Sequence, residues 1–196
     1  MRVIRMPGGV CAAIAAIVLL ITSLAGVAVA QELKIFDLTV PARIAGVARG
    51  QVADYEKTNP GAGYGVPFLR EGWRINIFLY DLRMSSIPDD PNSEVVKSHL
   101  AQTRDEVFAL ERQGYYANVV VRGDYVVKDR GGRTKFVCLT FTYIHKELGG
   151  MVDSYLCLTS WNNKFFKLRV TGLQGTKTRA DAERFVRSWI GVLWPS

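Results

Sequence analysis

The second half of this chain holds four alternating segments separated by short turns, and that spacing constrains the fold more than any other feature. They are YYANVVVRGDYVVKD (115–129), FVCLTFTY (136–143), YLCLTSW (155–161) and FFKLRVTG (165–172). Strands joined by so few residues pair antiparallel, because a parallel neighbour needs a crossover of roughly a dozen residues or more. The first segment reads as one long strand or as a hairpin bent at Gly123-Asp124, and Arg130 to Arg133 is a turn. A helix closes the block. Thr178-x-x-Asp181 makes a capping box, and Ala182, Phe185, Val186, Trp189, Ile190 and Leu193 form an apolar stripe that Pro195 ends.

The first half is organised similarly. IFDLTV (35–40) alternates before Pro41, VARGQVADYE from Val47 reads as a strand, NPGAG (59–63) is a turn, and YGVPFL continues extended. Pro67 lacks a backbone donor, which places its strand at an edge or ends it there. WRINIFLYDL (73–82) is apolar on both alternate sets, as in a strand covered on both faces. Asp90 is the expected cap of a helix with Pro91 at its first position; Val96, Leu100, Thr103, Val107 and Leu110 recur at helical spacing, and Gly114 supplies the stop. The expected fold is α+β, a mostly antiparallel sheet of about seven to eight strands covered by two main helices.

Cys138 and Cys157 lie in two of the alternating segments. Cys138, Thr140 and Thr142 share one face, as do Tyr155, Cys157 and Thr159, so an antiparallel hairpin puts both cysteines on the same side. A turn centred between Glu147 and Leu148 sets them directly opposite. A turn centred one residue later makes them diagonal, and one at Gly149-Gly150 moves them out of bonding range. Compartment favours a disulfide if the chain is exported, with two buried thiols as the alternative. No zinc spacing surrounds them, and neither has the activating context of a catalytic thiolate.

Export is expected from residues 1–30. Arg2 and Arg5 precede an apolar run that ends A-V-A, with Ala28 and Ala30 where a signal peptidase reads small residues. Cleavage after Ala30 leaves residues 31–196 as a single domain, periplasmic or secreted. The alternative is a retained anchor, in which case this segment is the membrane contact. The two arginines account for two of the seven excess positive charges. Beyond Asn162 the remaining excess is concentrated, which suits anionic lipid, a cell-wall polymer or an acidic partner, with a solvated basic face that has no partner as the favoured alternative; nucleic acid is not expected outside the cell.

No catalytic constellation, cofactor motif or metal-ligand spacing emerges. GAGYG (61–65) leads into a strand, not into the helix N-terminus that a phosphate-cradling loop requires. His99 falls at the edge of a helix's packed face, and His145 stands near a hairpin tip beside Glu147. Trp161, Asn162, Asn163 and Lys164, with Lys167 and Arg169 on the outward face of the next strand, form a candidate partner-binding surface; the alternative is that Trp161 folds back onto the core. Leu156 and Leu158 share a face with Phe166, Leu168 and Val170 only if the connecting loop has an odd number of residues, such as 162–164.

The order of elements over Phe36 to Trp194, and the ending KFFKLRVTG…ADAERFVRSWIGVLW, resemble the Mog1/PsbP-like α/β/α sandwich. VPARIAG, GYGVPF and the YDL-type segment resemble exported proteobacterial proteins. The sandwich resemblance implies a non-enzymatic accessory protein that acts by binding other proteins; a cystatin-like helix-on-sheet is the alternative fold. Two functions follow as expectations. The first is an exported, non-catalytic accessory protein that binds an envelope protein or an anionic surface. The second is a small-molecule-binding or hydrolytic domain with a pocket between sheet and helix, using His145 or Asp124 as its polar group.

Overall fold

The computed structural model describes residues 32–175 and 179–195; the expected signal segment with Ala28 and Ala30, and Thr178 of the expected capping box, lie outside them. The chain enters as a two-stranded ribbon, β1 (Leu33–Ile35) against β2 (Leu38–Val40). Nine strands then build one sheet. They are β3 (Arg43–Ile44), β4 (Val47–Arg49), β5 (Ala53–Asp54), β6 (Tyr64–Arg70), β7 (Trp73–Tyr80), β8 (Tyr116–Lys128), β9 (Thr134–His145), β10 (Gly150–Trp161) and β11 (Lys164–Leu173). Their order is β3-β4-β6-β7-β11-β10-β9-β8, with β5 also paired to β6, and every pairing is antiparallel. Helix α1 (Glu94–Arg112) carries the chain from β7 in mid-sheet to β8 at one edge. Three hairpins then walk back until β11 lies against β7.

Several local expectations resolve differently. VARGQVADYE is two short strands broken at Gly50, whose N–H donates to the Pro67 carbonyl at 2.8 Å. Pro67 is therefore not at a sheet edge: its missing donor faces the gap between β4 and β5, where no ladder bond is asked of it. Residues 115–129 form no hairpin. They give the single strand β8, with register shifts that absorb Gly123 (φ 148). Ser93, not Asp90, caps α1: its Oγ accepts the Val96 N–H at 3.3 Å, while the Asp90 carboxylate accepts the Asn92 N–H in the turn before it. The helix ends as expected at Gly114 (φ 80), whose N–H donates to the Glu111 carbonyl while that of Tyr115 reaches Leu110.

Each sheet face has its own helix, which sets the fold apart from the cystatin-like alternative. Helix α2 (Arg179–Leu193) buries Ala182, Phe185, Val186, Trp189 and Leu193 on one face. There the Phe68 ring meets Phe185 and Trp189 edge-on at 5.5 and 5.7 Å, and Phe166 lies 5.0 Å from Trp189. Helix α1 covers the opposite face with Val96, His99, Thr103 and Val107, packing on β8, β9 and β10.

Cys138 and Cys157 are bonded, buried on the α2 face and directly opposite in the β9–β10 register, with Cα atoms 4.1 Å apart. His145 pairs with Gly150, so the turn is centred between Glu147 and Leu148, the first of the three registers considered. Closing a loop of 19 residues removes denatured-state entropy. Replacing both cysteines by alanine is expected to lower the unfolding free energy by about 2–4 kcal/mol in urea titration; a loss below about 0.5 kcal/mol would deny the bridge that role.

Candidate functional site

The connection between β10 and β11 is the local choice that builds the site. It has two residues, Asn162 (φ 48) and Asn163 (φ 59), both left-handed as a type I′ hairpin turn demands. Asn163 Oδ1 accepts the Ile87 N–H at 2.7 Å, and Asn162 Nδ2 donates to Asp37 at 2.9 Å. An even loop sets Leu158 opposite Lys167 and Leu156 opposite Arg169. The odd-numbered loop that would set Leu156 and Leu158 beside Phe166, Leu168 and Val170 is not the one formed. Phe166, Leu168 and Val170 fall on the α2 face, while Lys167 and Arg169 point not outward but beneath α1.

There they line a cleft of about 640 Å³ between α1 and the sheet. Its floor is Asn76 and Phe78 of β7, Lys167, Arg169 and Thr171 of β11, and Leu156 of β10. Thr103, Glu106, Val107 and Leu110 of α1 form the roof. Tyr116, Tyr143 and His145 make an aromatic wall, with Tyr116 and Tyr143 centroids 4.3 Å apart and His145 5.2 Å from Tyr116. The end of α1 positions that wall, since the Gly114 stop turns the chain directly into β8.

Lys167 pairs with Glu106 at 3.2 Å, and its side chain is 16% exposed. Burial holds the ammonium below its ordinary pKa, and Glu106 opposes that shift. Arg169 is held by neutral groups: it donates to Tyr143 OH at 3.0 Å and Ser154 Oγ at 3.3 Å, and Ser154 in turn bonds Thr171 at 2.8 Å. Its guanidinium lies 5.4 Å from the Tyr116 ring and 5.8 Å from that of Tyr143. No carboxylate pairs with Arg169 among the described residues. His145 is buried, its Nδ1 has no hydrogen-bond partner, and burial followed by the nearby Arg74 charge lowers its pKa. At the rim, Arg74 pairs with Glu147 at 2.8 Å, so Glu147 serves Arg74. The chemistry on offer is recognition of an anion by a pre-oriented guanidinium between aromatic faces.

The other expected partner-binding residues lie elsewhere. Trp161 folds back: its Nε1 donates to the Leu193 carbonyl at 2.6 Å, tying β10 to the end of α2. Lys164 pairs with Asp81 at 3.3 Å and lies 4.9 Å from the Phe36 ring. Asp124 is exposed on the edge strand β8 and does not line the cleft. The amides of GAGYG are occupied by the chain itself, because Glu56 accepts the N–H groups of Gly61 and Gly63 at 2.8–3.0 Å. His99 is buried rather than at an edge. Its Nε2 is 2.7 Å from Tyr80 OH and its Nδ1 3.0 Å from Gln102 Oε1, so the proton on Nδ1 goes to Gln102 and Nε2 accepts from Tyr80. Tyr116, Tyr143, Arg74 and Glu106 were not among the expected site residues. The Asn-Asn pair between two strand patterns was the signal for the even turn that would have brought them together.

No protein-family model and no curated protein sequence matches the chain. Solved structures similar to it include the following two. The solution structure of cyanobacterial PsbP (CyanoP) from Synechocystis sp. PCC 6803 is 12% identical with a TM-score of 0.48, over 88% of this chain and 96% of that one. The crystal structure of PA94 from Pseudomonas aeruginosa is 9% identical with a TM-score of 0.33, over 74% and 83%. No residue's role passes from either to this chain.

Burial, partly opposed by the Gln102 bond, also holds the His99 pKa below its ordinary value, so the folded state keeps the ring neutral. The unfolded chain takes up that proton near pH 6.5, so the stability is complete above about pH 6.5 and is lost as pH falls below it. Urea titrations at stepped pH are expected to show this decline, and His99→Phe to shallow it while leaving Tyr80 without its acceptor. An equal slope in the variant would assign the decline to other groups.

Proposed function

We propose that the protein is an exported, non-catalytic binding protein whose cleft beneath α1 takes a small organic anion with an apolar or aromatic body. The observation that carries this reading is Arg169, held by Tyr143 and Ser154 at the floor of the cleft and left without a carboxylate partner among the described residues. A cleft of about 640 Å³ has the size of small-molecule sites, and its mixture of aromatic faces with a few convergent polar groups has their composition. The buried disulfide is compatible with an oxidising, extracytoplasmic compartment and supports the exported part of the reading. Binding is favoured over catalysis because no hydrogen bond joins His145 to a nucleophile among the described residues. Docking of an envelope protein on the Trp161 loop has less support, because Trp161, Asn162, Asn163 and Lys164 are engaged internally.

The test uses two dyes of similar shape, the anionic anilinonaphthalene sulfonate and the neutral phenylnaphthylamine. Titrated fluorescence should show the anionic dye bound by the wild type and weakened about tenfold or more by Arg169→Gln, the loss expected when a charge-assisted hydrogen bond goes. The neutral dye should change by less than about twofold. Equal losses for both dyes, or none for the anionic one, would contradict the reading.

A further inference from the structure

A second basic groove, of about 690 Å³, lies between the β8–β9 turn and α2. Lys128, Arg130, Arg133 and Lys135 face it from the turn and its flanks, and Arg184 and Arg187 from the helix. Asp129 is the one acid among its lining residues, and Arg133 consumes it, with Nε 2.9 Å from Oδ2 and the backbone N–H 3.0 Å from Oδ1. Arg184 pairs with Asp181 at 3.2 Å. Lys128, Arg130, Lys135 and Arg187 have no carboxylate partner among the described residues; Arg187 donates instead to the Lys128 carbonyl at 2.8 Å, which ties the helix to the turn. Trp194 sits at the groove's end. It is half-buried, its ring 6.1 Å from the core ring of Phe136 and 4.2 Å from the Lys135 ammonium.

We propose that this groove docks the protein on an anionic phospholipid surface, with the unpaired cations on headgroup phosphates and Trp194 at the interface. A pocket for one free anion would converge its donors on a point, as Arg169 and its neighbours do beneath α1. Here the cations are strung along a turn and a helix face, which suits a charged plane. An amphipathic tryptophan at the margin of such an array is what an interfacial contact favours. Of these cations only Arg184 and Arg187 belong to the C-terminal excess of basic residues; Lys128, Arg130, Arg133 and Lys135 precede it in the chain and are brought beside them by the fold. The site is separate from the α1 cleft and does not rest on it.

The experiment is co-sedimentation of the full chain with vesicles of phosphatidylcholine alone and of phosphatidylcholine with phosphatidylglycerol, the latter also with brominated acyl chains. Comparing variants of the same chain cancels any contribution of the apolar N-terminal segment. Wild type is expected to prefer the anionic vesicles and to be released by salt, and Lys128→Glu with Arg130→Glu to weaken that binding about tenfold or more. Brominated lipid should quench tryptophan emission in the wild type and less in Trp194→Phe. No preference for anionic vesicles, or binding unmoved by the double charge reversal, would overturn the proposal. So would equal binding to soluble polyglutamate with no quenching by brominated lipid, which would assign the groove to an acidic polymer.

Discussion

Two asparagines set the orientation of a whole strand. Side chains alternate along β11 with a period of two, so the length of the Asn162–Asn163 turn decides which of its residues meet α1 and which meet α2. With two residues in left-handed conformation, Phe166, Leu168 and Val170 join the aromatic core under α2, and Lys167 and Arg169 are carried into the space under α1. One residue more would exchange the sets and bury two cations against Trp189 and Phe185. The burial observed is tolerable because each cation has partners: Glu106 offsets the Lys167 charge, while Tyr143 and Ser154 satisfy part of the Arg169 fork.

The two faces of the sheet therefore differ in kind. Under α2, rings close the space: Trp189 is fully buried among Phe68, Phe166 and Phe185. Under α1 the helix packs on β8, β9 and β10, and long polar side chains rise toward it from β7 and β11, where Lys167 meets Glu106. The crossover explains this asymmetry. Helix α1 must lead from β7 to the β8 edge, and its Schellman end delivers Tyr115 and Tyr116 to the mouth of the cleft. Glu111 fixes the approach by accepting the Val119 N–H at 2.9 Å, at a point where a register shift interrupts the β8 ladder.

Much of this architecture was legible in the sequence. The alternation of the last four strands, the stripe on α2, the Gly114 stop and the facing of Cys138 with Cys157 all rest on short-range patterns, and each is seen. What was missed depends on partners distant in sequence. Pro67 reads as an edge signal until Gly50 is seen to break the neighbouring strand beside it. Trp161 is ambiguous until the Leu193 carbonyl is found waiting at the far end of α2. The cleft itself was hidden because Lys167 and Arg169 read as lying on an outward face, whereas each face of the sheet is covered by a helix. Tyr116 and Tyr143 carry no motif; they belong to the site because β8 and β9 set them against Arg169.

The inward orientation of β11 is the central claim, and the reactivity of its lysine tests it directly. Limited acetylation of the folded protein, mapped by peptide mass, compares Lys167, whose side chain is 16% exposed, with Lys57 at 80% and Lys97 at 54%. The structure predicts that Lys57 and Lys97 are modified well before Lys167, and that the difference vanishes on unfolding. Modification of Lys167 as fast as Lys57 in the folded protein would mean that its ammonium is not held beneath α1, and the cleft as described would not exist.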